Sequence, residues 1–140
     1  MESEELARSQ AESKLKSIMR IMERVHHAQT CDGVDCPLTE NEIEYHDVGK
    51  IEEEIFNSPL SVEVSSGWTP VGENLKPAKY NLLMSIGGPG TRIVGDLDAD
   101  GIPVTGDLEY QDWGIPWTRY PLSDEEQKAI LEFAQYFSYS

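Results

Sequence analysis

At 140 residues, 39% of them apolar, the chain has the length of one domain and enough apolar material to close a core without disulfides. Its 26 Asp and Glu outnumber 11 Lys and Arg, for a formal charge of -15. That surplus repels phosphate backbones and anionic lipid, so direct nucleic-acid and membrane-surface binding are not expected, and a cationic partner is.

The opening residues MESEELARSQ alternate acids and polar groups where a secretory signal needs a basic start and an apolar run, which predicts a cytoplasmic protein. From Glu2 to about His27 there is no Gly or Pro, and Leu15, Ile18, Met19, Met22 and Val25 recur at three- and four-residue spacing. This is the signature of an amphipathic helix. Its apolar stripe suits packing on a sheet, with a homodimer through this N-terminal helix as the alternative. The turn-rich TCDGVDCPL over 30–38 ends it. Thr39 and Glu42 form a capping-box pattern that predicts a second helix, interrupted near Gly49 and ending before Pro59. Asp32, Asp35, Glu40, Glu42, Glu44, Asp47, Glu52, Glu53 and Glu54 face one base, Lys50. Residues 1–58 thus read as a helical, acidic N-terminal region.

After Pro59 the spacing changes to short alternating segments, predicted as four strands: Leu60–Trp68, Tyr80–Ile86, Thr91–Leu97 and Leu108–Trp113. Turn chemistry separates them at Pro70 and Gly72, at Gly87–Gly90, and at Asp100–Gly101. Connections this short make antiparallel hairpins. Ser123, followed by Asp124, Glu125 and Glu126, starts a final helix with an apolar side of Ile130, Leu131, Phe133, Ala134 and Phe137. The expected fold is one α+β domain spanning 1–140. Residues 59–140 supply a four-stranded antiparallel sheet and a C-terminal helix.

Candidate chemistry is sparse. His26, His27, Cys31 and Cys36 are types that enclose a tetrahedral structural zinc at close spacing, which would pin the first helix to the acidic segment. A second cysteine pair is missing, and packing of Cys36 as a small hydrophobe competes with that reading. Asp96, Asp98 and Asp100 open like a calcium loop. The twelfth position is Asp107, Pro103 interrupts, and the flanks read as strands, so a hairpin turn is favoured. Arg92 is expected to pair with Asp107 or Glu109 across a hairpin. Trp68 and Trp113 are expected inside, with Trp117 as a partial surface anchor. No nucleophile elbow or paired acid and base assembles, so an enzyme is not expected.

Three segments resemble a family of small uncharacterised proteins of bacteriophages, plasmids and integrated mobile elements: PLSVEVSSGW at Pro59–Trp68, GGPGTRIVGDLD at Gly87–Asp98, and YQDWGIPWTRY at Tyr110–Tyr120. The resemblance covers less than half of the chain. It implies a mobile-element origin and carries no established reaction.

A second acidic block, Asp96, Asp98, Asp100, Asp107, Glu109, Asp112, Asp124, Glu125 and Glu126, is offset only by Arg119. Carboxylates on adjacent helical turns lie about 5–6 Å apart and alternate strand residues about 6–7 Å, comparable with phosphate spacing. The expected role is inhibition of a host defence nucleoprotein, a CRISPR effector or restriction enzyme, by covering its basic nucleic-acid surface. The expected contacts are Glu40, Glu42, Glu44, Asp47, Glu52, Glu53, Asp96, Asp98, Asp100 and Trp117. A zinc-stabilised interaction or regulatory module and a small enzyme acting on a defence signal are the alternatives.

Overall fold

In a computed structural model, residues 3–30, 48–86, 90–112 and 115–139 are described. Helix α1 spans Ser3–Thr30, so it runs past His27 to the first residue of the turn-rich segment and carries His26 and His27 in its last turns. Ala7, Ala11, Leu15, Ile18, Met22 and Val25 are all buried, and their spacing of three and four places them on one stripe. The stripe packs within the chain, against β3, β4 and the other helices. A dimer through α1 would therefore have to use its exposed face.

Helix α2 covers Val48–Asn57 and includes Gly49, where an interruption was expected. It buries Ile51 and Ile55, one turn apart. Its end is fixed twice: Ser58 Oγ donates to the Glu54 carbonyl at 2.7 Å, and the Glu54 carboxylate pairs with Arg24 of α1. The expected cap at Thr39 lies outside the described residues.

The sheet has five strands rather than the four expected: β1 Ser61–Ser66, β2 Pro77–Ser85, β3 Gly90–Asp96, β4 Asp107–Asp112 and β5 Ile115–Arg119. They follow one another across the sheet as an antiparallel meander, β1-β2-β3-β4-β5. The fifth strand was hidden by Pro116, which reads as a loop residue but is tolerated at a sheet edge, where its missing N–H costs no ladder bond. Gly72 and Gly101, at φ +93° and +78°, supply the left-handed turns that connect the strands.

Helix α3, Asp124–Ala134, opens with the expected N-cap at Ser123, which the structure completes as a capping box: Ser123 Oγ accepts from the Glu126 N–H, and the Glu126 carboxylate accepts from the Ser123 N–H at 2.9 Å. Replacing Ser123 with Ala should lower stability by about 1 kcal/mol in urea unfolding, and Ser123→Asp should restore most of it.

Strand alternation divides the sheet into two unlike faces. Tyr80, Leu82, Met84, Ile93, Leu108 and Tyr110 join the helices in one buried cluster. On the other face Asn81, Leu83, Arg92, Val94, Asp107 and Glu109 are only half-buried. No element among the described residues covers them.

Candidate functional site

The uncovered face follows from the strand register. Glu63 lies opposite Asn81, Asn81 opposite Val94, and Val94 opposite Asp107, so three polar side chains and Val94 form a row across four strands. A second row runs through Leu83, Arg92, Glu109 and Arg119. Along the first row runs an open groove of about 540 Å³ lined by Glu63, Ser65, Lys79, Asn81, Arg92 and Asp107, among others.

Its guanidinium is fixed on two sides. Arg92 donates from Nε and Nη2 to Glu109 Oε1, each at 2.7 Å, which is one of the two partners expected for it. The Arg92 guanidinium also stacks 4.1 Å from the Trp117 ring centroid, a geometry in which a cation is attracted to the ring's negative face. Asp107 is held by Arg119 at 2.9 Å. The Asn81 Oδ1 is buried and accepts no hydrogen bond among the described residues. Among the described residues no histidine or cysteine lines the groove. This surface can hold a ligand by charge and hydrogen bonding, and its strongest cation is already engaged.

The sequence-predicted residues are dispersed. Glu52 and Glu53 stand exposed on α2. Asp96 and Asp100 are exposed at the end of β3 and in the following turn. Asp98 works inside that turn: its Oδ1 accepts the N–H of Asp100 at 2.8 Å and of Ile102 at 2.9 Å, and its carbonyl accepts the Gly101 N–H. These bonds make the Asp-Gly hairpin turn. Trp117 lies on β5, half-buried with one ring face given to Arg92, rather than in a loop. Cys31, Cys36, Glu40, Glu42, Glu44, Asp47 and Trp113 lie outside the described residues.

His26 Nε2 sits 2.7 Å from the Glu132 carboxylate of α3, joining the two helices. Among the described residues no three His, Cys, Asp or Glu side chains cluster closely enough to hold a metal ion, and no helix is long and apolar enough to cross a membrane.

The expectation for Trp68 is overturned. It was placed in the core, as a large aromatic at a strand end usually is. Instead it is fully exposed at 106%, followed in the β1–β2 connection by exposed Val71 and Leu75. The strand before it is also open: Val62 and Val64 share the helix-side face of the sheet, yet both are exposed, because the buried layer that covers Tyr80, Leu82 and Met84 of β2 ends short of β1. The alternating pattern of SVEVSS identified a strand. Nothing in it says that the layer above would stop short.

No protein-family model matches the chain, and neither a curated protein nor a solved structure matches it.

Proposed function

We propose that the chain is a non-catalytic inhibitor of phage or mobile-element origin that covers a basic surface on a host nucleic-acid-binding defence protein in the bacterial cytoplasm. The observation that carries this reading is the distribution of its ion pairs. Arg24, Arg92 and Arg119 each hold a carboxylate of the same chain. Glu52, Glu53, Asp96 and Asp100 remain exposed, with no ion pair to a cation among the described residues. Pairing cannot remove the surplus, since 26 acids less 11 bases leaves 15 carboxylates uncompensated even if every base is used.

The internal pairs also narrow the surface. Asp107 and Glu109 are held by arginines, Asp98 serves its turn and Glu126 serves a helix cap. These four are poor candidates for gripping a partner, because each would have to give up a native hydrogen bond or, for Asp107, an ion pair. Glu52 and Glu53 on α2, and Asp96 with Asp100 at the β3–β4 turn, are the better ones.

Charge of this kind acts mainly on association rate and is screened by salt. Titration against purified CRISPR effectors and restriction enzymes should show binding that weakens steeply from low to high salt. Glu52→Lys with Glu53→Lys should slow association by about tenfold or more. Absent binding, or binding indifferent to salt and to these reversals, refutes the proposal.

A further inference from the structure

The two edges of the sheet are protected unequally. Strand β5 is five residues long, contains Pro116 and ends in Arg119. Brevity, proline and charge are the devices that keep an edge from pairing with another chain. Strand β1 has none of them beyond one carboxylate: it runs six residues, SVEVSS, without proline. The irregularity in its pairing with β2 skips Ala78 on β2, so β1 itself continues unbroken from Ser61 to Ser66. Among the described residues nothing pairs with this edge, and an edge flanked by exposed valines is a template for another strand.

We infer that this edge pairs with the β1 edge of a second copy, giving a two-fold dimer with one continuous ten-stranded antiparallel sheet. This interface does not depend on the acidic surface proposed above, although it borders it: Lys79 lies opposite Asp96 on β3.

Register selects one arrangement. With the helices of both copies on the same side, the two-fold axis passes beside a residue that faces its own twin. An axis at Glu63 sets two carboxylates against each other, which like-charge repulsion disfavours. An axis at Val62 brings Val64 opposite Leu60, outside the strand, and leaves Glu63 beside Ser61 with Leu83 beyond it. An axis at Val64 keeps the pairing within the strand: Val64 meets its twin, Val62 meets Ser66 and Glu63 meets Ser65.

That last register is also complementary in charge. Ser65 pairs with Lys79 on β2, so Glu63 of one copy lies in line with Ser65 and then Lys79 of the other. The separation is two strand spacings, about 9–10 Å between backbones, which an extended Lys and Glu span over an intervening serine. Symmetry makes the contact twice. Neither Glu63 nor Lys79 has an ion pair among the described residues. Continued past the strand end, the same register carries Trp68 toward Leu60 of the partner, bringing together side chains 106% and 60% exposed in the single chain. On the helix-side face the twin Val64 side chains, each 47% exposed, cover one another.

The net charge of each copy opposes the association, but that repulsion is long-ranged and screened within about 8 Å at physiological ionic strength. The dimer should therefore hold or tighten as salt rises from low to physiological, opposite to the binding proposed for the acidic surface.

The test is sedimentation of the full chain over a concentration series. A dimer is expected, with Val64→Lys giving a monomer whose thermal unfolding shows it still folded, since Val64 is half-exposed. Glu63→Lys and Lys79→Glu should each weaken the dimer about tenfold, and the double exchange should restore it to within about threefold, as a paired charge contact requires. Val64→Cys should form a disulfide-linked dimer under oxidation well beyond that of the parent chain, which carries Cys31 and Cys36. A parent chain that stays monomeric throughout overturns the inference. So does a dimer that survives Val64→Lys, or a double exchange that fails to rescue.

Discussion

Gly95→Ala should be among the most damaging single substitutions in this chain, costing about 3 kcal/mol or more and leaving much of the population unfolded. A Cβ built on Gly95 would stand 2.1 Å from the Thr105 carbonyl oxygen and 2.7 Å from its carbon. Both are backbone atoms, so no rotamer change relieves the overlap. Nor is the carbonyl free to withdraw. Tyr80 donates to it at 2.6 Å, the Thr105 hydroxyl accepts the Asp96 N–H at 2.8 Å, and the Val104 N–H binds the Asp96 carbonyl at 2.9 Å. The β3–β4 connection is thus tied down directly over the glycine. Burial, with the nearby charges of Asp107 and Asp96, pushes the Tyr80 hydroxyl well above its ordinary range, so it remains a donor at any physiological pH. Gly67→Ala is the control, because a Cβ there meets nothing within 4 Å. Urea unfolding should separate the two by nearly the full effect, and equal stability would show that the connection does not pass over β3 as described.

The glycine illustrates what a sequence of this kind discloses. Patterns carried by neighbouring residues were readable: the stripe of α1, the Ser123 N-cap and the positive-φ turn at Gly101 all form within a few residues of their signal. Arg92 pairing with Glu109 was readable too, since a hairpin brings alternate residues face to face. What depended on distant layers was not. Gly95 reads as an ordinary strand residue until Thr105 is laid across it, and Trp68 reads as core until the buried layer ends at β2. The second acidic block reads as one anionic zone, whereas three-dimensional pairing spends Asp107 and Glu109 on arginines and Asp98 on backbone N–H groups. The β1 edge was visible as a strand, but which strand is left outermost is a property of the whole meander.

Phe133→Ala should cost about 3–5 kcal/mol, the usual range for emptying a fully buried aromatic site. Set against the roughly 5–15 kcal/mol that holds a domain together, this leaves a marginal protein. The position is unforgiving because α3 presents Ala129, Ile130, Phe133 and Ala134 as its whole buried face, and Phe133 is the largest of them at 0% exposure. Its ring packs edge-on to Phe137 at 5.5 Å between centroids, and Phe137 packs in turn on Phe56 of α2 at 5.6 Å. The three rings form the only aromatic chain between α2 and α3 among the described residues. Loss of the first therefore leaves a void under α3 and also loosens the attachment of α2, which carries Glu52 and Glu53. Phe56→Ala separates the two effects: Phe56 is half-exposed, so its loss should cost much less global stability while still removing the α2 contact. Hydrogen exchange should then show faster opening of α2 alone in Phe56→Ala, and of α2 with α3 in Phe133→Ala. Equal protection of α2 in Phe56→Ala and the parent chain would mean that Ile51 and Ile55, both fully buried, hold that helix by themselves.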